Sequence, residues 1–298
     1  MKISNFFVFK EKKTRVIVTS NCQTASICSC LRLILGDKYQ ITPLPLMGDN
    51  NLSLSDSINI INQADIWVTL SDFSNFKDIA LKAKVRIIKI PRIRFNAFHP
   101  DIVYIKNKIN NSYYGDYHSF IVIWGFINGL DQKKVTSLFN SNTFENLDYF
   151  SMWNPSKALL GKSFESSDID FNIFFQNIQK HGVFMHTINH PKISLIVELS
   201  YLIRDHIEPN DLFIYHGEIN DPLNLNVWPV YPEIGDFYSY EQSGYIWKCG
   251  EEKRLFNLES YIKFSYENYK KIIKNLDHVE IIRSNFDQQN LILKDLVL

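Results

Sequence analysis

The chain has 298 residues, enough for one large or two modest domains, and its 45% hydrophobic and 21% charged residues exclude a disordered protein. Lys plus Arg and Asp plus Glu are balanced at 32 each, so no overall charge attracts nucleic acid or an anionic membrane surface. The four cysteines include no CxxC pair, so the sequence predicts no structural zinc site and no other metal centre.

We expect no signal peptide at the N-terminus. Residues 1–13 lack the long apolar region and the small-residue cleavage site of a signal peptide. The longest apolar run, residues 120–127, is far shorter than the roughly 20 residues that a membrane helix needs. We therefore expect a cytoplasmic protein without a transmembrane segment. The sequence leaves a homo-oligomer open.

The first predicted strand and helix meet at a cysteine. Residues 16–18 are an apolar, β-branched run typical of a buried strand, and residues 25–35 predict a helix closed by Gly36. Between them, residues 19–21 are of types whose side chains cap helices. Cys22 therefore lies where the unpaired N–H groups and the dipole of a helix lower a thiol pKa and attract an anionic ligand. The alternative is a small cysteine buried at the edge of a core.

The following segments alternate between strand and helix patterns up to about residue 105. The predicted elements are a short or edge strand over 39–46, helices over 53–64 and 76–83, and strands over 65–70 and 85–90. Repeated strand–helix units predict an α/β fold with a parallel, doubly wound, Rossmann-like sheet. Because ligands bind at the carboxyl ends of strands in such sheets, the Cys22 loop and the loop after Ile90 both lie at the expected ligand edge.

The loop after Ile90 carries polar side chains to that edge, namely Arg92, Arg94, His99 and Asp101. Paired guanidinium groups suit phosphate, although the two arginines also fit a solvated basic pair on a surface connection. A nucleophilic thiol needs a base or a positive neighbour. His99 is the best candidate partner for Cys22, since both loops open on the same sheet edge.

From residue 118 onward the pattern is mainly helical, so we expect an α/β domain over 1–117 and a helical part over 118–298 packed on it. The predicted helices cover 118–130, 131–139 with Asp131 as cap, 167–180, about 191–206 and 255–275. Residues 153–155 predict a break and residues 227–233 an extended, proline-interrupted segment. Pro191 fits the first position of a helix capped by Asn189 or His190.

His186 and His190 have the HxxxH spacing of metal ligands on one helical face. Pro191 disfavours a helical conformation at His190, so the pair is expected in a loop that enters a helix. The sequence then indicates polar contact or proton transfer, or simply a satisfied cap or core residue, rather than metal binding. The chain has no GxSxG, P-loop or GxGxxG motif.

Three short motifs occur in a familiar order: SNCQ over residues 20–23, FHPD over 98–101 and TINHP over 187–191. The similarity that they carry extends through the YPEI stretch over 231–234. Together they make the chain, from about residue 14 to 235, resemble the WcbI-type polysaccharide biosynthesis family of proposed acetyltransferases. The family motif often begins with Gly before Asn, where this chain has Ser20. The resemblance implies an α/β N-terminal part with added helices, association with coenzyme A, and Cys22 as the leading catalytic candidate with His99 and His190 near it.

The resulting hypothesis is an acetyl-CoA-dependent acyltransferase that modifies a sugar hydroxyl in capsular or surface polysaccharide synthesis. Either Cys22 accepts the acyl group first, which we prefer because its position would otherwise go unused, or a histidine activates the sugar for direct attack. The assigned residues are Cys22, His99 and His190 for catalysis, Ser20, Asn21, Gln23, Arg92 and Arg94 for coenzyme A, and Asp101, His186 and Asn189 for the sugar. The alternatives are a carbohydrate esterase that uses the same loop and a non-catalytic sugar- or nucleotide-binding module.

Overall fold

The computed structural model describes residues 12–44, 53–71, 84–115, 117–210, 213–215, 217–250 and 254–297. Its strands are β1 (Thr14–Thr19), β2 (Tyr39–Pro43), β3 (Ile66–Leu70), β4 (Arg86–Ile90), β5 (Ile102–Asn107), β6 (His118–Ser119), β7 (Trp247–Cys249), β8 (Arg254–Phe256) and β9 (Val279–Ile282). Its α-helices are α1 (Thr24–Leu35), α2 (Leu54–Ile61), α3 (Phe120–Ile127), α4 (Gln132–Ser137), α5 (Ser141–Asn146), α6 (Trp153–Phe164), α7 (Phe171–Gln179), α8 (Ile193–Ile207), α9 (Pro232–Tyr238), α10 (Leu258–Ile272) and α11 (Phe286–Val297).

The chain forms two compact units, each assembled from three separate stretches. The first unit comprises Met1–Arg92, Ser163–Lys180 and Ile193–Pro222. The second comprises Ile93–Lys162, His181–Lys192 and Leu223–Leu298. The predicted boundary between residues 117 and 118 falls inside the second unit, where β6 pairs antiparallel with β5.

The first unit contains a parallel sheet with the strand order β2-β1-β3-β4. Its β-branched central strands are buried, and Val16 of β1 lies in register with Ile41 on one side and Ile66 on the other. The proline-containing β2 is an edge strand, as predicted. The expectation of a parallel α/β N-terminal sheet followed by a mainly helical part is confirmed.

The first helices begin and end close to their predicted positions. Ser53 caps α2, because its hydroxyl oxygen accepts from the Asp56 N–H at 3.1 Å. Gly36 ends α1 with φ of +67°, a conformation that glycine adopts without strain. The helix predicted over 76–83 lies outside the described residues.

The strands of the second unit are antiparallel and mostly short. Strand β5 pairs with β6 and with β9, and β7 pairs with β8. Its core is rich in fully buried aromatic side chains, which include Phe95, Phe98, Phe120, Tyr149, Phe184 and Trp247. No helix within the described ranges combines the length and the apolar character that crossing a bilayer requires.

Several element predictions for the chain from residue 118 onward are wrong in detail. The helix expected from His118 begins at Phe120, because His118 and Ser119 form β6 and the Ser119 hydroxyl caps α3. The break expected at residues 153–155 is instead the start of α6. Pro155 lies in the first turn of this helix, where a backbone N–H would have no partner within the helix, so the missing N–H of proline is tolerated. The helix expected over 255–275 is β8 followed by α10, with Asn257 as its cap.

Candidate functional site

Cys22 lies in the turn that joins β1 to α1 in the first unit, and its side chain is exposed. Hydrogen bonds among the polar atoms of residues 20, 21, 23 and 24 shape this turn. The Asn21 Oδ1 atom accepts from the Gln23 N–H at 3.1 Å and from the Ser20 hydroxyl at 3.4 Å. The Thr24 hydroxyl accepts from the Ser20 N–H at 3.1 Å and donates to the Asn21 carbonyl at 2.8 Å. These bonds hold the thiol at the N-terminal end of a helix, as the sequence predicts.

The predicted coenzyme-binding residues of this turn differ in exposure. Gln23 is the N-cap of α1, but its side chain does not cap the helix and is 1% exposed. Ser20 is also buried, whereas Asn21 is half-buried. The expectation that side chains of residues 19–21 cap α1 is therefore wrong in position. Asn21 Oδ1 accepts from the N–H of Gln23, which is the residue before the first residue of the helix, Thr24. The accessible group of the turn is the Cys22 thiol.

The other three cysteines are less accessible than Cys22. Cys28 and Cys30 are fully buried within α1, and this burial raises the pKa of each thiol to about 12. Cys249, in the second unit, is partly exposed. Cys22 is therefore the thiol best placed to meet a reagent or substrate, and Cys28 and Cys30 are unsuited to a redox partnership with it.

His99 lies in the second unit and is 2% exposed. Its Nδ1 atom is 3.3 Å from the Pro229 carbonyl oxygen. Because a carbonyl only accepts, this contact is a hydrogen bond in the tautomer that carries the hydrogen on Nδ1, and in that tautomer Nε2 is the nitrogen that can take up a proton. The buried Nε2 atom has no hydrogen-bond partner among the described residues.

Burial lowers the pKa of His99 to about 4, although the backbone carbonyls of Pro229 and Met185 act more weakly in the opposite direction. The charges of Lys192 and His186 lower this pKa further. The imidazole of His99 is consequently neutral at physiological pH, which is the form that a general base requires.

The TINHP motif forms a tight turn and not a helical one. Met185 and Pro191 form an antiparallel bridge, and the His186 N–H donates to the His190 carbonyl at 2.7 Å. As the sequence predicts, Pro191 keeps His190 out of a helical conformation. The HxxxH pair is not presented on one helical face.

Helix α8 begins two residues later than Pro191 predicts. The Ile193 N–H donates to Asp221 Oδ2 at 3.0 Å, so the acceptor at the helix start comes from a residue 28 positions downstream. The assignment of Asn189 or His190 as the cap is therefore wrong. Both side chains are thereby available for other contacts in the second unit.

Asn189 and His190 are arranged around Tyr117. The Tyr117 hydroxyl donates to Asn189 Oδ1 at 2.6 Å, and its ring lies edge-on to the half-buried His190 ring at 5.8 Å. Thr187 supports both neighbours, since its oxygen accepts from the His190 N–H and its hydroxyl donates to Asn189 Oδ1, each at 3.2 Å. Tyr117 was not singled out by the sequence, where it belongs to no motif and directly precedes the helix predicted over 118–130.

Two of the three motifs, FHPD and TINHP, converge within the second unit with the segment that precedes YPEI. The Phe95 N–H donates to the Ile188 carbonyl at 2.9 Å, and the Trp228 N–H donates to the His186 carbonyl at 2.8 Å. Phe98 packs against Phe184 with ring centroids 4.8 Å apart. The loop of His99, the TINHP turn and the segment before YPEI therefore form one connected cluster. Cys22 belongs to the first unit, and its pairing with His99 stays a prediction.

Asp101 is a fully buried anchor of this cluster. Its Oδ1 accepts from the Tyr149 hydroxyl at 2.8 Å and the Ile121 N–H at 3.1 Å, and its Oδ2 accepts from the Tyr231 hydroxyl at 2.7 Å. Burial raises the pKa of this carboxyl, and its donors, which include the Ser119 hydroxyl, partly offset the effect. Because both oxygens are engaged inside the protein, this geometry favours a structural role for Asp101 over the predicted contact with sugar.

Arg92 and Arg94 do not share one environment. Arg92 is half-buried and belongs to the first unit, whereas Arg94 is exposed, belongs to the second, and donates from Nε to Asn96 Oδ1 at 3.3 Å. Their role in holding coenzyme A phosphates stays a prediction.

The C-terminal segment contributes a support that the sequence did not indicate. Arg283 donates from Nη1 to the Pro100 carbonyl at 2.9 Å, and its guanidinium lies 4.5 Å from the centroid of the Phe120 ring. It also bonds Gln289, whose Nε2 donates to the Leu147 carbonyl at 2.8 Å. A single arginine among polar residues carries no sequence signal for such a role.

Comparison with known proteins identifies the family. The family model described as "Polysaccharide biosynthesis enzyme WcbI" matches residues 15–212. A solved structure of WcbI, described as a novel polysaccharide biosynthesis enzyme in its native form without a disulfide bond between coenzyme A and a cysteine, has a similar fold with a TM-score of 0.71. The two chains are 12% identical, and the likeness covers 96% of this chain and 95% of that one. The comparison with curated proteins found no match.

The family match confirms the resemblance that the motifs indicate, although it ends at residue 212 and does not reach the YPEI stretch. It spans the SNCQ motif, which lies in the β1–α1 turn, and the FHPD and TINHP motifs. The last two lie in the connected cluster that contains His99 and His190, which we call the histidine cluster. The chain belongs to the WcbI family of polysaccharide biosynthesis enzymes.

Proposed function

We propose that the protein is a coenzyme A-dependent acyltransferase that transfers an acetyl group to a sugar hydroxyl during surface polysaccharide synthesis. The observation that carries the proposal is the exposed Cys22 thiol at the N-terminal end of α1. In a parallel α/β sheet this is the edge at which ligands bind. The structurally similar WcbI, which is described without a disulfide bond between coenzyme A and a cysteine, supports the same pairing here.

In the preferred route, the Cys22 thiolate attacks the thioester carbonyl of acetyl-CoA. The C–S bond to coenzyme A breaks and an acetyl-Cys22 thioester forms, while the coenzyme leaves as a thiolate that takes up a proton. A histidine then removes the proton from the sugar hydroxyl, whose oxygen attacks the acetyl-enzyme. The acetyl ester of the sugar is released and the Cys22 thiolate is restored.

In the alternative route, the histidine activates the sugar for direct attack on acetyl-CoA, and the polar groups of the Cys22 turn stabilise the oxyanion. Both routes give the same products, an acetylated sugar and free coenzyme A. They differ in whether an acetyl group is ever bonded to Cys22.

Two histidines are candidates for the base. His99 is neutral and keeps its protonatable Nε2 without a partner among the described residues, but its low pKa makes it a weak base in the free protein. His190 is half-buried and is held at the backbone by the Thr187 oxygen. We assign proton transfer to this pair, with His99 placed first because of its tautomer.

The test is intact mass measurement of the full-length protein after incubation with acetyl-CoA, followed by product analysis with added sugars. We expect an acetyl adduct on the parent and on the Cys249→Ala control, and none on Cys22→Ala. Full transfer activity in Cys22→Ala would reject the covalent route. Absence of bound coenzyme, adduct and transfer in the parent would reject the proposal as a whole.

The same experiment separates the other function classes. An esterase would release acetate from an acetylated sugar in the absence of coenzyme A. A non-catalytic binding module would leave Cys22 unreactive toward a neutral thiol reagent at pH 7. Rapid labelling of Cys22, compared with the buried Cys28, would argue for a reactive thiol.

A further inference from the structure

We infer that a cavity in the second unit binds the sugar acceptor, an inference that rests on the proposed function. The cavity has a volume of about 230 Å³ and lies among residues of α10, β7 and the extended segment around residue 227. The lining residues that carry the argument are Tyr117, Asn226, Trp228, Trp247, Tyr261 and Asn268.

Aromatic side chains dominate its walls, and some of them pack on one another. The Trp247 ring stacks on Tyr261 at 4.3 Å with an angle of 2° between the planes, and Trp228 meets Tyr261 edge-on at 5.5 Å. The amide side chains of Asn226 and Asn268 also line the space. Because Trp247 and Tyr261 cover each other, the aromatic surface left for a ligand is that of the half-buried Tyr114, Tyr117 and Phe264. Aromatic surface beside a few convergent polar groups suits a ligand with one apolar C–H face and a hydroxyl-bearing edge, which describes a pyranose ring.

One buried donor in this wall lacks an acceptor. Trp247 is 1% exposed, and its Nε1 atom has no hydrogen-bond partner among the described residues. Buried polar groups nearly always have a partner, because leaving one unpaired costs free energy. A hydroxyl or ring oxygen of a bound sugar would supply the missing acceptor.

Size and charge favour a single sugar ring over the coenzyme. Drug-sized ligands occupy pockets of about 300–1,000 Å³, so this smaller space fits one ring and not coenzyme A. Within the described lining, Lys248 is the one Lys or Arg, and its Nζ atom already donates to Asn224 Oδ1 at 2.8 Å. The cavity is therefore poorly suited to a ligand with several phosphate charges.

The cavity adjoins the histidine cluster. Tyr117 lines it and also donates to Asn189 and packs against His190, as described above. Trp228 lines it too and bonds the His186 carbonyl through its N–H. A sugar in this space would lie one side chain away from the TINHP turn.

The position of the lining residues in the chain also favours the sugar acceptor over the acyl donor as the ligand of this cavity. The family match ends at residue 212, whereas Asn226, Trp228, Trp247, Tyr261 and Asn268 all follow it. A common acyl donor is expected to contact the part of the chain that the family model spans. The sugar differs from one polysaccharide to another, so its contacts are expected outside that part.

A second aromatic cleft, of about 470 Å³, is the main competitor. It is lined by Phe150, Trp153, Phe237, Tyr238 and Tyr240 together with two polar residues. Phe237 is 58% exposed, so the cleft is open, and it includes no buried donor that lacks a partner among the described residues. We therefore place the sugar at Trp247 and let the experiment report on both positions.

The experiment labels the full chain with 5-fluorotryptophan and follows its ¹⁹F NMR signals. The five tryptophans cover the proposed cavity with Trp228 and Trp247, the competing cleft with Trp153, and the rest of the protein with Trp67 and Trp124. The probes are the methyl glycosides of glucose, galactose, mannose, N-acetylglucosamine and N-acetylgalactosamine. Each signal is assigned from the corresponding Trp→Phe variant.

We expect saturable shifts of the Trp228 and Trp247 signals with at least one sugar, while the Trp67 signal stays fixed. Shifts confined to Trp153 would move the sugar to the competing cleft and overturn the inference. No shift with any of the five sugars would overturn it as well. Because the readout is binding, it is independent of the acetyl-Cys22 adduct, so failure here and failure of the proposed function are distinguishable.

Trp247→Phe provides the matched variant, since it keeps a six-membered aromatic ring beside Tyr261 and removes the N–H donor together with the five-membered ring. We expect the Kd for the bound sugar to rise about fivefold, as the loss of one neutral hydrogen bond predicts. Trp124→Phe is the control, because it removes another buried indole donor, which bonds Asn290 at 2.8 Å. An unchanged Kd in Trp247→Phe would show that the indole N–H does not meet the sugar.

Discussion

Two buried histidines of the second unit predict a loss of stability on mild acidification. Burial lowers the pKa of both His99 and His118 from 6.5 to about 4. In the unfolded chain each imidazole binds a proton as the pH falls through about 6.5, whereas in the folded protein it does not until about 4. The unfolded state therefore gains protons first, and the folded state loses stability between these two values.

The magnitude follows from the same shifts. Each histidine is expected to lower the free energy of unfolding by about 2 kcal/mol at pH 5 and by about 3 kcal/mol at pH 4, relative to pH 7.5. Both side chains are almost fully enclosed, His99 at 2% and His118 at 6% exposure, so solvent screening does not reduce these values much. The two histidines together should thus take about 4 kcal/mol from the second unit by pH 5, a large share of the stability of an ordinary domain. Asp101, whose pKa is raised by burial, acts in the opposite direction as the pH falls.

The assay is urea unfolding of the full chain at pH 7.5, 6 and 5. The ¹⁹F signal of Trp124 reports on the second unit and that of Trp67 on the first. His118→Gln keeps a donor for the Tyr114 carbonyl, which His118 Nε2 contacts at 2.6 Å, and cannot be protonated in this range. It should therefore lose only about 2 kcal/mol by pH 5, because one titrating histidine remains.

His181→Gln serves as the control, since it removes an exposed histidine of the same unit. Its decline with pH should match that of the parent. If the parent keeps its unfolding free energy down to pH 5, or if His118→Gln declines as steeply as the parent, burial does not control these two imidazoles and the reasoning fails.

Three further predictions concern single carboxylates and arginines. Asp101→Ala leaves buried donors without their acceptor and should lower the free energy of unfolding by about 3–5 kcal/mol in urea titration, and a loss below about 1 kcal/mol would contradict its role as an anchor. Asp221→Ala removes the acceptor for the Ile193 N–H and should cost about 1 kcal/mol by thermal unfolding, with Asp221→Asn closer to the parent. If Arg92 and Arg94 hold phosphates, each Arg→Ala change should weaken coenzyme A binding about tenfold or more by calorimetry, and unchanged affinity would reject that assignment.

The sequence predicts the first unit well because its signals are local. The β-branched run of β1, the Ser53 cap of α2 and Gly36 after α1 each act on neighbouring residues. Such short-range patterns determine where a strand or helix begins and ends. The position of Cys22 between a strand and a helix follows from the same reading, whereas its exposure was left open by the sequence.

The second unit was harder to predict because its contacts join distant residues. Ile105 of β5 pairs with Ile281 of β9, and four residues of β9 show no periodicity that would reveal a strand. Tyr231 reaches Asp101 across 130 positions, and Trp247 stacks on Tyr261 from another element. The motifs identify which loops carry chemistry, but the side chains that support them are set by tertiary packing.

The division into interleaved stretches has a consequence for synthesis on the ribosome. The chain changes unit after residues 92, 162, 180, 192 and 222, so neither unit corresponds to a contiguous fragment. Strand β5 must leave the exit tunnel with one of its edges unpaired and wait for β9 near the C-terminus. During that interval the nascent chain exposes an unpaired strand edge, which favours aggregation, and premature termination would release a product in which the histidine-bearing unit is incomplete.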